Sequence, residues 1–296
     1  MSELLKSHDF KFQKKYGQNF LQDVKIPRRI ATECTDFVFP EGDTLPEKKA
    51  ESLILEIGPG AGILTKELAK RFEKVVAVEI DTSLEGVLKD SLSGFDNTEV
   101  VFEDIMNINL KEFLDQKRKR PDGTLLPVSV CANLPYYITT PIIMKLLEEY
   151  PSFNFITVMV QKEVATRLSS PPGNSEYGAI TAQINLYGNV KRLFTVPSGC
   201  FFPRPKVDSA VIRISLYKEP KYSPDLAAFT SKIIKQAFLM RRKTLSNALS
   251  GMFPDISKEE LGAKINEVLH KGADVRGEKL STEEFAVLAK ELCNYK

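Results

Sequence analysis

Five short apolar runs separated by helical stretches, all between residues 52 and 160, constrain this chain more than any other feature. Residues 52–57 (SLILEI), 75–80 (VVAVEI), 100–102, 128–132 and 155–160 (FITVMV) have the length and the β-branched content of strands. Between the first two, Leu64, Leu68 and Phe72 recur at i, i+4 and i+8, one face of a helix. Pro141 opens the stretch PIIMKLLEEY, as proline does in a first helical turn. Strands alternating with helices make βαβ units, and such units build a parallel sheet covered on both faces. Two later strands, around 190–196 and 207–216, follow a helix over 178–186 and bring the expected sheet to seven strands. The expected class is α/β, Rossmann-like, with a mostly parallel sheet.

After a linker at 218–224 (KEPKYSP) the texture changes. Ser223 followed by Pro224 signals a helix start, and Leu226, Phe229, Ile233 and Ala237 share one face of that helix. Ser257 with Glu260, and Ser281 with Glu284, have capping-box spacing, while Gly251 and Gly272 stand where helices should end. The reading is therefore a catalytic domain over 1–217 and a small all-α domain of three or four helices over 224–296.

Composition removes several functional classes. Apolar residues at 43% and charged residues at 27% suit a packed globular protein, and a net charge of +2 names no partner. No apolar run approaches the roughly 18 residues needed to span a bilayer, and MSELLKSHDF lacks the apolar core of a secretory leader. Cys34, Cys131, Cys200 and Cys293 lie far apart, which excludes CxxC knuckles and suits reduced thiols in a cytoplasm. With His8 and His270 as the only histidines, neither histidine catalysis nor a metal site is expected.

Charge is local instead. Residues 11–29 hold six basic residues, Lys14 and Lys15 among them, against the single acid Asp23. Residues 226–254 contain no acid at all, while Lys232, Lys235, Arg241, Arg242 and Lys243 are basic. Two positive regions on a nearly neutral chain suit RNA phosphates, which supply affinity and make it salt-dependent. A solvated arm and a basic helix end are the plainer alternatives. The run Lys117–Arg120 (KRKR), followed by Pro-Asp-Gly, reads as a surface loop that is either solvated or touches RNA phosphates.

The sharpest short signal is EIGPGAG at 56–62, after a strand and before a helix, where glycines let the backbone approach a ligand and helix N–H groups are free. The dinucleotide pattern G-x-G-x-x-G fails here, because Ile63 and Thr65 stand where the third glycine belongs. The spacing E-x-G-x-G-x-G, with Gly58 and Gly60 inside it, resembles the first motif of class I S-adenosylmethionine-dependent methyltransferases. Glu79 ends the second strand 21 residues after Gly58, where a carboxylate can hold a ribose diol; a solvated helix cap is the other reading. Asp104, after the third strand, stands where that architecture accepts the adenine amino group, with Ile105 packing on the ring; a helix N-cap is its alternative.

At the end of the fourth strand, Asn133-Leu134-Pro135-Tyr136 resembles the signature of methyltransferases that act on exocyclic or amide nitrogens. An adenine amine is a poor nucleophile because its lone pair is delocalised into the ring. Two acceptors against its N–H groups, the Asn133 side-chain carbonyl and the Leu134 backbone carbonyl, would aim that lone pair at a methyl donor. Pro135 fixes the turn, and Tyr136 offers a ring face for an extruded base. A plain strand-exit turn would leave the same residues without function.

Taken in series, these motifs resemble the ribosomal RNA adenine dimethyltransferases of the bacterial KsgA type. The resemblance runs nearly end to end, through GQNFL at 17–21, EIGPGAG at 56–62, NLPYYITTP at 133–141, FFPRPKVDSAV at 201–211 and QAFLMRRKTLSNAL at 236–249. It implies S-adenosylmethionine as cofactor, with Asn19, Leu21 and Gly58 at its methionine end, Glu79 at the ribose, Asp104 at the adenine and Asn133 at the reacting centre. It also implies that Phe201 stacks on the target base opposite Tyr136; without it, Phe201 and Phe202 read as core residues. The implied reaction makes N6,N6-dimethyladenosine at two adjacent adenosines near the 3′ end of 16S ribosomal RNA, in the small (30S) subunit, by a cytoplasmic enzyme expected to be a monomer, with a role in subunit biogenesis. Tyr137 departs from the asparagine of many relatives. A 23S RNA methyltransferase of the macrolide-resistance type and a non-catalytic assembly factor are the alternatives, and an oxidoreductase is disfavoured by the glycine spacing.

Overall fold

The computed structural model describes residues 17–39, 48–272 and 274–295, together with Leu5, Ser7, His8, Phe10 and Gln13. In chain order the elements are β1 (Phe20–Leu21), α1 (Lys25–Thr32), β2 (Ala50–Ile57), α2 (Ile63–Ala69), β3 (Phe72–Glu79), α3 (Glu85–Leu92), β4 (Thr98–Phe102), α4 (Leu110–Lys117), β5 (Val128–Asn133), α5 (Thr139–Glu149), β6 (Phe155–Gln161) and α6 (Lys162–Leu168). They continue with α7 (Ala179–Ile184), β7 (Gly188–Val196), β8 (Phe201–Phe202), β9 (Ser209–Leu216), α8 (Pro224–Leu239), α9 (Leu245–Leu249), α10 (Lys258–Leu269) and α11 (Thr282–Leu292), with short 3-10 turns between some of them.

Seven strands form one sheet in the order β4-β3-β2-β5-β6-β9-β7. The pairs β4–β3, β3–β2, β2–β5 and β5–β6 are parallel, and β9 runs antiparallel to β6. The middle strands are apolar without alternation: Leu53, Ile54, Leu55, Val75, Val76, Ala77 and Val130 are fully buried. That pattern belongs to strands covered on both faces. One expectation fails in detail, since Phe72 opens β3 rather than closing the preceding helix. Strand order reverses between β2 and β5, whose register sets Glu56 opposite Cys131 and Ile57 opposite Ala132. The glycine loop that follows Ile57 and the turn that starts at Asn133 therefore leave the sheet side by side, at the kind of switch point where open α/β sheets bind ligands.

The chain divides into two compact units, Met1–Ala165 with Lys191–Lys218, and Thr166–Val190 with Glu219–Lys296. The segment Thr166–Val190, which the sequence reading places in the first unit, thus groups with the C-terminal helices. The reason lies in its side chains. Tyr177 is wholly buried in a cluster with Phe229, Ile233, Leu249, Phe285 and Leu288, and its hydroxyl donates to the Leu280 carbonyl at 3.0 Å. Burial pushes its phenol up to about 12. Within this unit, Ser223 and Ser257 cap their helices through the N–H groups of Leu226 and Glu260, while Ser281 and Glu284 complete the reciprocal box. The left-handed helix end falls to His270 (φ 52°), two residues before Gly272.

Cys34, Cys131, Cys200 and Cys293 are free thiols. Among the described residues no helix is long and apolar enough to cross a membrane, and no group of three or more His, Cys, Asp or Glu could hold a metal ion.

Candidate active site

The loop after β2 turns on three glycines with positive φ, Gly58 (71°), Gly60 (57°) and Gly62 (79°). Gly60 is required by space as well as by conformation, because a Cβ there would lie 2.5 Å from the Phe20 ring. Its N–H donates to Glu79 Oε2 at 3.1 Å, so the loop is pinned to the end of the neighbouring strand. Glu79 Oε1 accepts the Asp81 backbone N–H at 2.9 Å. Burial raises the Glu79 carboxyl above its ordinary value, and these two N–H groups partly offset the effect.

Around this loop lies a cavity lined by Gly17, Asn19, Leu21, Gly58, Gly60, Glu79, Asp104, Ile105 and Asn133–Tyr136, together with Glu56, Leu84, Glu103 and Tyr137. Every cofactor residue expected from the sequence is present in that lining. Among the described residues its acidic members are Glu56, Glu79, Glu103 and Asp104, and no lysine, arginine or histidine is in the lining. Glu56 was read only as a motif letter, yet it is 1% exposed and neither carboxylate oxygen has a hydrogen-bond partner among the described residues. Burial pushes its pKa up to about 8; the neighbouring Thr65 hydroxyl opposes the shift in part, and the Glu79 charge adds to it. Asp104 turns one oxygen to the N–H of Met106 at 2.9 Å, a local turn rather than a helix cap.

Asn133 ends β5 and donates from Nδ2 to the backbone carbonyl of Asn19 at 3.1 Å. Pro135 starts a turn in which its own carbonyl accepts the Thr139 hydroxyl at 3.1 Å. The Tyr136 hydroxyl meets Ser209 Oγ at 2.9 Å, which fixes the ring, and burial raises its phenol pKa. Phe201, expected at the target base, lies in the core here. It is 3% exposed, packs in the core with Leu21, Met159 and Val211, and is not part of the cavity lining. The β1–β8 pairing sets Leu21 opposite Phe201 and Phe20 opposite Phe202, and along a strand successive side chains alternate. Phe202 is consequently the exposed aromatic of the two.

The sequence reading also missed Asp81, which is 2% exposed and binds Gln18 and Gln13 of the N-terminal segment. The available signal was an acid two residues beyond Glu79. Of the expected RNA contacts, Lys14 and Lys15 lie outside the described residues. Arg242 and Lys243 are exposed. Arg241 is occupied: its Nε donates to Glu278 and its Nη2 to the Ser175 carbonyl, both at 2.7 Å. The basic loop is tied down in a similar way, Lys117 to Glu99, Arg118 to the Tyr150 hydroxyl and Arg120 to Glu73.

These residues fit S-adenosylmethionine. A cavity whose described lining carries acidic groups and no cationic side chain suits a ligand bearing sulfonium and ammonium groups, and the Glu79 carboxylate beside the glycine loop suits a ribose diol. Fold and site together define a class I S-adenosylmethionine-dependent methyltransferase. A family model for ribosomal RNA adenine dimethylase matches residues 9–292. The chain belongs to that family. It is 42% identical over 293 residues to a ribosomal RNA small subunit methyltransferase A of Bacillus licheniformis, covering 98% of this chain and 94% of that protein. A protein of the same name in Clostridioides difficile is 43% identical over 291 residues, covering 97% and 93%. The crystal structure of a dimethyladenosine transferase from Plasmodium falciparum shares the fold with a TM-score of 0.74 at 23% identity, over 93% of this chain and 98% of that one. That of the 23S rRNA methyltransferase ErmE gives 0.65 at 25% identity, over 93% and 99%.

Proposed function

We propose that this chain dimethylates the N6 amino groups of two adjacent adenosines near the 3′ end of small-subunit (16S) ribosomal RNA, acting as a cytoplasmic monomer on the 30S particle or its precursor. The observation that carries the reading is the acid-lined cavity, with no cationic side chain among its described residues, that ends at the Asn133–Tyr136 turn. The small-subunit assignment is supported by relatives of that name matched along almost their whole length.

Bound at Glu79, Asp104, Ile105, Gly58, Gly60, Asn19 and Leu21, S-adenosylmethionine would supply an electrophilic methyl carbon. The chain's own residues then prepare the amine. Asn133 Oδ1 and the Leu134 carbonyl accept its N–H groups and draw the nitrogen toward a pyramidal shape. The Tyr136 ring, fixed through Ser209, gives the extruded base a stacking face worth about 1–3 kcal/mol. No general base is needed, because the nitrogen sheds its proton readily once alkylated. Arg242 and Lys243 are exposed and suited to RNA phosphates.

Incubation with labelled cofactor and separated ribosomal subunits, followed by digestion to nucleosides, tests this reading. Labelled N6,N6-dimethyladenosine in the small subunit is the expected result. Label confined to the large subunit would transfer the chain to the 23S class.

A further inference from the structure

Asp81 lies just past β3, out of solvent, and holds four neutral donors. Its Oδ2 accepts Gln18 Nε2 at 2.6 Å, and its Oδ1 accepts Gln13 Nε2 at 3.1 Å, the Ser83 N–H at 3.1 Å and the Ser83 hydroxyl at 2.6 Å. A buried carboxylate is costly without such donors, so it recruits the glutamines from a segment more than 60 residues away in sequence. Gln18 cannot reverse its amide, because Oε1 already accepts the Gln13 backbone N–H at 3.1 Å. One residue further on, the Asn19 carbonyl accepts Asn133 Nδ2. A carbonyl oxygen only accepts, so it commits the nitrogen end of the Asn133 amide and leaves Oδ1 as the atom facing a substrate.

We propose that Asp81 is a positioning residue for methyl transfer: by gripping Gln18 it seats the Asn19 carbonyl against Asn133 and so sets which end of that amide meets the target amine. The catalytic part of this inference rests on the function proposed above; the anchoring part does not.

A donor–acceptor exchange tests it. Gln18→Glu removes the donor and opposes two carboxylates, and Asp81→Asn leaves one acceptor oxygen, which the Ser83 and Gln13 donors claim, so that an NH2 group faces the Gln18 NH2. The double variant re-creates the bond in reverse: the introduced amide donates, and the introduced carboxylate accepts from it and from the Gln13 N–H. Three readouts are taken on the full chain: single-turnover methylation of small subunits, cofactor affinity, and backbone hydrogen exchange of 17–21 and 133–136 without cofactor. Each single change should slow transfer by about 10- to 100-fold and speed exchange in both segments, and the pair should return both to within about threefold of wild type. A contact serving stability alone would lower the melting temperature and leave exchange at 133–136 unmoved. Single variants with wild-type rate and exchange, or a double variant no better than the worse single, would overturn the proposal. Exchange that follows the cycle in a chain inert on small subunits would sink the functional reading and uphold the anchor.

Discussion

At the scale of single residues, the site depends on where side chains are excluded as much as on where they act. Gly60 leaves room for the Phe20 ring at a φ that side chains disfavour. Gly60→Ala should therefore displace Phe20 and weaken cofactor binding by about tenfold or more, measurable by calorimetry, since the strain of a left-handed alanine adds to the clash. Tenfold weaker binding with an undisturbed fold would confirm it; unchanged affinity would mean that the loop relaxes freely. Under the proposed mechanism, Asn133→Ala removes an acceptor for the reacting amine. Its single-turnover rate should drop by about 100- to 1000-fold, well beyond any loss in cofactor affinity. Equal losses in both would reduce Asn133 to a cofactor contact.

At the scale of elements, the division of labour among the basic residues becomes testable. Arg241 is held by Glu278 and Ser175, whereas Arg242 and Lys243 face solvent. Changing Arg242 and Lys243 together to alanine should reduce the slope of log affinity for RNA against log salt by roughly 1.5, whereas Arg241→Ala should mainly lower the melting temperature. The reverse pattern would assign the phosphate contact to Arg241. Elements were also what the sequence showed most clearly. All seven strands of the main sheet are legible, β2, β3, β5 and β6 most sharply because buried parallel strands are short apolar blocks, and Ser223 and Ser281 mark their helix starts without ambiguity. Phe72 was misread because its spacing from Leu68 also fits a helix, and only pairing with Ala50 across the sheet decides the matter. The two-residue strands β1 and β8 carry no period of their own, so nothing local shows which of Phe201 and Phe202 turns inward. Candidate cofactor residues could be placed along the line; the Asp81 anchor could not, because its partners are brought together only by the fold.

At the scale of the whole molecule, Glu56 ties stability to pH. Its carboxyl titrates near an ordinary 4.5 when unfolded and at about 8 in the fold. Between those values the unfolded chain releases a proton that the folded chain keeps, so stability falls as pH rises through the window and stays reduced above it. Glu79, raised in the same direction, adds to the slope. Glu56→Gln should match wild type near pH 4 and melt higher than wild type at pH 9, in a series of thermal scans. Parallel curves across that range would show that the buried carboxyl finds compensation elsewhere.

The last strand of the sheet to be made, β9, does not take an edge but lies between β6 and β7. A nascent chain emerging from the ribosome therefore reaches residue 216 before its first unit can close, and must keep a slot open beside β6 until then. Residues 166–190 wait longer still, since the helices that shelter Tyr177 are translated after that strand. Sequence order and spatial order thus differ twice in one polypeptide, and a chain stalled before residue 209 would lack the strand that pairs with the flank of β6.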